Sequence, residues 1–121
     1  MQELSHDDLF EYLSAQLSSV YEVLMSSTYP RAPYLIDTIV YIDQGMLQVH
    51  DELYLEDQPD FESIHVSLIL LVNRVSTNNS FLLQTLGMPF LRAFRLWAEG
   101  VMTILEEQQQ EPVPLQSAPA A

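Results

Sequence analysis

The chain has 121 residues, no cysteine and no lysine, and its 17 carboxylates against four arginines give a formal net charge of −13 at pH 7. This length predicts one domain, and 48% apolar residues are enough for a hydrophobic core. The lack of cysteine excludes disulfides, thiol catalysis and thiolate metal sites. Because like charges repel, the net charge opposes direct binding to nucleic acid or to an anionic membrane, so we expect protein partners.

The start of the sequence, MQELSHDDLFEY, is acidic and lacks the basic segment and the apolar core of a secretion signal. No apolar run reaches the roughly 20 residues that a membrane-spanning helix needs. We therefore expect a protein of the cytoplasm.

The first predicted helix begins at Ser5, whose side chain can cap free amides while Asp7 and Asp8 meet the positive end of the helix dipole. Apolar residues then recur every three or four positions, as on one face of a helix. Pro30 and Pro33 follow, and proline cannot continue a helical hydrogen-bond ladder. We therefore predict a helix from Ser5 to about Ser27, with the apolar face Leu9, Leu13, Leu17, Val20 and Leu24.

The second predicted helix, from about Tyr34 to Glu56, has the most regular apolar pattern in the chain. A second apolar stripe runs beside the first, so the apolar face is wider than one neighbouring helix would cover. We therefore expect this helix to touch more than one other helix. The main stripe is Leu35, Ile39, Ile42, Met46, Val49 and Leu53, and the second is Ile36, Val40, Leu47 and Tyr54.

A third helix is predicted from Phe61, with Asp60 as its cap. Apolar residues cover all of its faces, which is typical of the central helix of a bundle. The polar stretch from Thr77 to Ser80 precedes a last apolar group that ends at Leu86, and we expect a kink or an interruption there. The apolar residues before this stretch are Phe61, Ile64, Val66, Leu68, Ile69, Leu70, Leu71, Val72 and Val75.

Gly87 suits a C-terminal helix cap and Pro89 the first turn of a new helix, so a turn is predicted between them. The fourth helix runs from Pro89 to about Gln108, where the sequence becomes rich in glutamine, proline and alanine. The sequence thus predicts an all-α fold, namely a four-helix antiparallel bundle over residues 5–107 and a flexible tail over residues 108–121.

Glu62 and His65 have the Glu-x-x-His spacing of di-iron helical bundles. Such a site needs two of these pairs and two further glutamates, and the sequence holds one pair. The chain also lacks a nucleophile elbow and a glycine-rich phosphate loop. We therefore expect no catalytic residue, metal or cofactor, and a metal-dependent helical-bundle enzyme is only the second alternative.

The fourth helix combines aromatic residues with arginine, the residue types that dominate protein–protein interfaces. Taken singly, such aromatics more often fill the core, but three of the predicted helices carry more apolar width than a small bundle uses. We therefore predict a surface that binds a partner and also forms a homodimer. The predicted residues are Phe90, Leu91, Phe94, Arg95, Trp97 and Val101.

The favoured function is a small acidic regulatory protein, not an enzyme, that inhibits or sequesters another protein through an apolar helix face. The expected target is a transcription regulator, as for an anti-activator, and negative charge would steer the encounter toward a basic rim. The first alternative is a secretion chaperone or a toxin-immunity protein. The acidic stretch from Asp51 to Glu62 also suits a mimic of nucleic acid phosphates, although a charge run is more often a solvated face.

Overall fold

A computed structural model of the protein describes residues 5–55 and 57–110, with side chains described as far as Gln108. This part of the chain is all-α, as predicted. In chain order, α1 is His6–Met25, α2 is Ala32–Tyr54, α3 is Phe61–Thr77, α4 is Asn79–Leu86 and α5 is Met88–Gln110. The predicted tail begins inside α5, which continues to Gln110, and residues 111–121 of that tail lie outside the described residues.

The described residues form five helices instead of the predicted four, because the predicted third helix is broken at Asn78. Asn78 has φ −106° and ψ 24°, and its side-chain amide donates to the carbonyl of Arg74 at 2.9 Å. Its backbone N–H also bonds to the last carbonyls of α3. The polar side chain thus competes with continued helix, and α3 ends there. The interruption expected between Thr77 and Ser80 is confirmed.

The helix starts and the turn before α5 have the predicted local chemistry. Ser5 Oγ accepts the backbone N–H of Asp8 at 3.0 Å, which satisfies an amide that a helix leaves free at its N-terminus. Asp60 Oδ1 does the same for the N–H of Ser63 at 3.1 Å. Gly87 has φ 88°, a conformation that a residue with a Cβ rarely adopts, so glycine allows the turn from α4 into α5.

Helices α1, α2 and α3 run antiparallel to their neighbours. Contacts pair the start of α1 with the end of α2, and the start of α2 with the end of α3. They are His6–Tyr54, Phe10–His50 and Ser14–Asp43 between α1 and α2, and Tyr34–Asn78, Tyr41–Arg74 and Gly45–Leu71 between α2 and α3.

Helix α5 returns from the end of the molecule where α3 finishes. The short α4 joins α3 to α5 and contacts α1 as well as both of them. The middle of α5 reaches the start of α1, where Nε2 of His6 donates to the carbonyl oxygen of Trp97 at 3.2 Å. Both α1 and α3 contact α2 on one side and α5 on the other.

The hydrophobic core lies between the four long helices, and it is built from the main predicted apolar stripe of each helix. The second predicted stripe of α2 is not in this core, since Ile36 and Val40 are half-buried and Leu47 and Tyr54 are exposed. Burial of these side chains is the main favourable contribution to folding. The core includes Leu9, Leu13 and Leu17 of α1, Ile39, Ile42, Met46, Val49 and Leu53 of α2, Ile64, Leu68, Leu71 and Val75 of α3, Leu82 of α4, and Phe90, Phe94, Trp97, Val101 and Leu105 of α5.

Helix α3 is not a central helix, and that prediction from its all-round apolar sequence is wrong. Its inner face is buried, but Val66, Ile69 and Leu70 are exposed at 53%, 52% and 54%. The reason is that its long helical neighbours are α2 and α5, and no other described helix covers its outer face. The protein therefore exposes apolar helix surface to solvent.

Candidate functional site

Four of the six predicted partner-binding residues lie in the core of the described part of the chain, and two lie at its surface. Phe90, Trp97 and Val101 are fully buried, and Phe94 is 4% exposed. The Trp97 ring stacks on His6 at a centroid distance of 6.0 Å and lies 5.9 Å from the ring of Phe94. Large aromatic side chains gain most when they are buried. These four side chains therefore hold α5 against the rest of the protein.

The other two predicted residues, Leu91 and Arg95, lie at the surface. Leu91 is half-buried, and Arg95 is exposed and pairs with Glu99 one turn further along α5 at 3.1 Å. Both line a groove between α3 and α5, and Phe94 reaches the groove from the core. The predicted surface thus includes one wall of this groove, while the opposite wall on α3 was missed.

The α3–α5 groove is an open concavity of about 1110 Å³. Helix α3 forms one wall and α5 the other, and α4 lies at the end where α3 finishes. A concavity of this size exceeds most small-molecule pockets, which are roughly 300–1,000 Å³. Its apolar lining is Leu68, Ile69, Val72, Val75, Leu83, Met88, Leu91, Phe94, Ala98 and Met102, and its polar lining is Asn73, Ser76, Asn79, Arg92, Arg95, Glu99, Thr103 and Glu106.

The walls of the groove are exposed although they are apolar. Leu83 is 40% exposed and Met88 46%, in addition to Ile69 on the α3 wall. Covering such surface contributes about 25 cal/mol for each Å² removed from water. Contiguous apolar surface on a folded protein marks an interaction site more often than an isolated exposed side chain does. The groove is therefore the candidate functional site.

The charges of the groove are separated along its length. Arg92 lies near α4, Arg95 is paired with Glu99 further along α5, and Glu106 lies about 21 Å from Arg92 at the rise of an α-helix. On the opposite wall, the polar side chains Asn73 and Ser76 are uncharged. One end of the groove is therefore positive and the other end is negative.

Because the helices are antiparallel, their termini meet at two ends of the described part of the molecule, and these two ends differ in charge. The ends of α1 and α3 and the starts of α2 and α5 lie together at what we call the arginine end. The starts of α1 and α3 and the end of α2 lie together at what we call the acidic end. The arginine end carries Arg31 and Arg74 together with Glu22 and Asp37, and the acidic end carries Asp7, Asp8, Asp51, Glu52, Asp57, Asp60 and Glu62. Arg92 and Arg95 lie on α5 between its start and Trp97, whose carbonyl contacts the start of α1.

A polar junction at the acidic end joins three helices. A carbonyl oxygen can only accept, so His6 donates its Nε2–H to the carbonyl oxygen of Trp97. In the tautomer with this proton, Nδ1 accepts the phenolic O–H of Tyr54 at 2.8 Å. Burial raises the pKa of Tyr54, and the negative charge of Asp7 raises it further, so the phenol remains protonated and can donate. The junction fixes α1 to α2 and α5.

Glu62 and His65 of the Glu-x-x-His motif lie in the first two turns of α3. Across residues 5–55 and 57–108, no three histidine or carboxylate side chains come together in a way that could hold a metal ion. Within the same part of the chain, no helix has the length and apolarity needed to cross a membrane.

Comparisons of the chain with protein-family models, with curated proteins and with solved structures find no match. The candidate site is therefore defined by its own geometry and chemistry. It is an apolar groove between two helices of an all-α protein, with arginines at one end and a carboxylate at the other.

Proposed function

We propose that this protein is a small acidic, non-enzymatic regulator that binds another protein through the α3–α5 groove and thereby inhibits or sequesters it. The observation that supports this proposal is the exposed apolar lining of the groove. A folded protein gains free energy when a partner covers such a surface. The partner then hides its own apolar face in the groove and cannot present that face to another molecule.

The target that we propose is a transcription regulator, as for an anti-activator. Proteins that bind DNA carry basic surface because they must neutralise phosphates. A protein with a net charge of −13 attracts such a surface and speeds the encounter. Apolar contact in the groove would supply most of the affinity, and the attraction between opposite charges would increase the association rate.

Self-association is the competing use for the same surface. Two copies of this chain each carry a net charge of −13 and repel each other, whereas a basic partner is attracted. We therefore propose that a different protein, rather than a second copy, is the main occupant of the groove, although the groove also offers a surface for a homodimer.

Affinity capture from native lysate tests the proposed function. The bait proteins are the wild type, Ile69→Glu in the groove and Val23→Glu on α1, outside the groove lining. Ile69 is 52% exposed and Val23 is 67% exposed, so each substitution replaces an exposed apolar side chain with the same carboxylate. Circular dichroism melts of both variants show whether the fold is kept.

We expect the wild type and Val23→Glu to retain one protein in stoichiometric amount, and Ile69→Glu to retain roughly tenfold less of it. The captured protein should lose its activity when the wild type is added, which a DNA-binding or reporter assay measures. Equal capture by both variants would show that the groove is not the binding site. Capture without loss of the partner's activity would contradict inhibition and would favour a chaperone.

A further inference from the structure

The shape of the groove suits one α-helix. Helices α3 and α5 form its two walls, and the part of the α5 wall from Arg92 to Glu106 is about 21 Å long, which is the length of about four helical turns. Ridges on a third helix can pack into the groove between two others, and amphipathic helices commonly bind in grooves of this kind. An extended segment is less suitable, since it would need free backbone groups at a sheet edge, and the walls here are helical.

The charges of the groove favour one direction for that helix. An α-helix carries about half a positive charge at its N-terminus and about half a negative charge at its C-terminus. The helix C-terminus is therefore stabilised near Arg92, and the N-terminus near Glu106, while Arg95 and Glu99 between them pair with each other and keep the same order of charge along α5. Since α5 runs from Arg92 to Glu106, this direction is antiparallel to α5.

The rest of the molecule supports the same direction. Arg74, near the end of α3, adds positive charge at the arginine end, and Asp60 and Glu62 add negative charge at the acidic end. The α3 side of the groove therefore has the same order of charges as the α5 side, positive near α4 and negative at the opposite end. Basic side chains of the partner are attracted to the acidic end, and acidic side chains to the arginine end.

Resting on the proposed function, we propose that the occupant of the α3–α5 groove is an amphipathic α-helix of the partner, about four turns long, that lies antiparallel to α5. This helix carries its apolar residues on one face, basic residues in its N-terminal turns and acidic residues in its C-terminal turns. Its apolar face covers Ile69, Leu83 and Met88, and its terminal charges face Glu106 and the arginines.

Three synthetic peptides of about 16 residues test this proposal. All have the same apolar face. The forward peptide is basic at its N-terminal end and acidic at its C-terminal end, the reverse peptide has these charges exchanged, and the third is the forward peptide with a central proline. A fluorophore on each peptide allows binding to be measured by anisotropy at low and at moderate salt.

We expect the forward peptide to bind about three- to tenfold more tightly than the reverse peptide at low salt, with a smaller ratio at moderate salt because exposed charges are screened. The central proline should abolish binding, since it breaks the helix. In a triple variant with Arg92→Glu, Arg95→Glu and Glu106→Arg, the preference should change to the reverse peptide. All three side chains are exposed, so the variant should keep its fold.

Other results would overturn the proposal without touching the proposed function. Equal binding of the forward and reverse peptides would contradict the direction of the helix, and equal binding of the proline peptide would show that the occupant is extended. A dimer that sedimentation detects and that the forward peptide dissociates would make a second copy the occupant. If no peptide binds while lysate capture still depends on Ile69, the proposal of a helical occupant fails, and the groove is kept as the binding site. If capture is also independent of Ile69, the proposed function fails with it.

Discussion

The imidazole ring of His6 lies so close to Gly100 that a Cβ at position 100 would be 2.9 Å from Cδ2 of the ring. This distance is too short for a real Cβ contact. The ring is held in place by its hydrogen bonds to Tyr54 and to the carbonyl of Trp97. The glycine thus allows the start of α1 to lie directly against the middle of α5.

We predict that Gly100→Ala lowers the free energy of unfolding by roughly 1 kcal/mol, although the same change in an unobstructed helix stabilises by about 0.5–1 kcal/mol. The reason is that His6 must turn away and lose two hydrogen bonds, each contributing about 0.5–1.5 kcal/mol. Urea denaturation measures the change. In a His6→Ala background the same substitution should stabilise, and an effect of equal sign in both backgrounds would contradict the contact.

Trp97 and its neighbour Leu96 lie on different faces of α5, one in the core and one at the surface. Trp97 is fully buried, whereas Leu96 is 56% exposed. We predict that Trp97→Ala lowers the free energy of unfolding by about 3–5 kcal/mol, since it leaves a cavity, and that Leu96→Ala changes it by less than about 0.5 kcal/mol. Thermal or urea unfolding of the two variants tests this. If Trp97→Ala unfolds like the wild type, the side chain belongs to a surface after all.

Gly87 adopts φ 88° with ψ 173°, a combination that is essentially limited to glycine. We predict that Gly87→Ala costs roughly 1–3 kcal/mol in the free energy of unfolding. Gly87→Asn should cost about as much, because asparagine tolerates a positive φ mainly at the smaller ψ of the left-handed helix. Chemical denaturation of both variants is the measurement. A mild effect of asparagine with a strong effect of alanine would indicate a left-handed helical cap instead.

Asp43 gives the stability of the protein a specific pH dependence. Burial between α1 and α2 raises the pKa of Asp43 above 3.8, and the hydroxyl of Ser14, which donates to it at 3.4 Å, partly opposes the rise. Because the folded state holds this proton more tightly, the resulting stabilisation is present below pH 3.8 and is lost as the pH rises through the raised pKa.

We therefore predict that Asp43→Asn raises the melting temperature at pH 7, and that the difference from the wild type shrinks as the pH falls toward 4. The amide oxygen of the variant can still accept the hydroxyl of Ser14. Ser14→Ala should act in the opposite direction and lower the melting temperature at pH 7, since it removes the bond that favours the carboxylate. Parallel pH profiles for the wild type and Asp43→Asn would contradict the burial of Asp43.

The helices and their inner faces could be predicted from the sequence because each stripe follows the helical period. Leu9, Leu13 and Leu17 are an example, since their spacing alone places them on one side of α1. Caps were predictable for the same reason, as Ser5 and Asp60 precede apolar runs. Helical periodicity and capping depend on residues that are close together in the sequence, so both can be predicted from one sequence.

The groove was not predictable in the same way, because its exposure depends on which helices are present to cover α3. The sequence shows that the outer face of α3 is apolar, and this pattern predicts a central helix, but the face is exposed and its Ile69 lines the groove. The residue types of α5 predict an interface, but the side chains of Phe90 and Trp97 are buried in the core. Composition indicates how much apolar surface a helix has, and only tertiary packing decides which part of that surface remains exposed.

Six carboxylates lie together where the starts of α1 and α3 meet the end of α2, and this has a physical consequence beyond the groove. These carboxylates are Asp7, Asp8, Asp51, Glu52, Asp60 and Glu62. A positively charged support would attract this end most strongly, so the molecule would attach by it and direct the turn between α1 and α2 into solution.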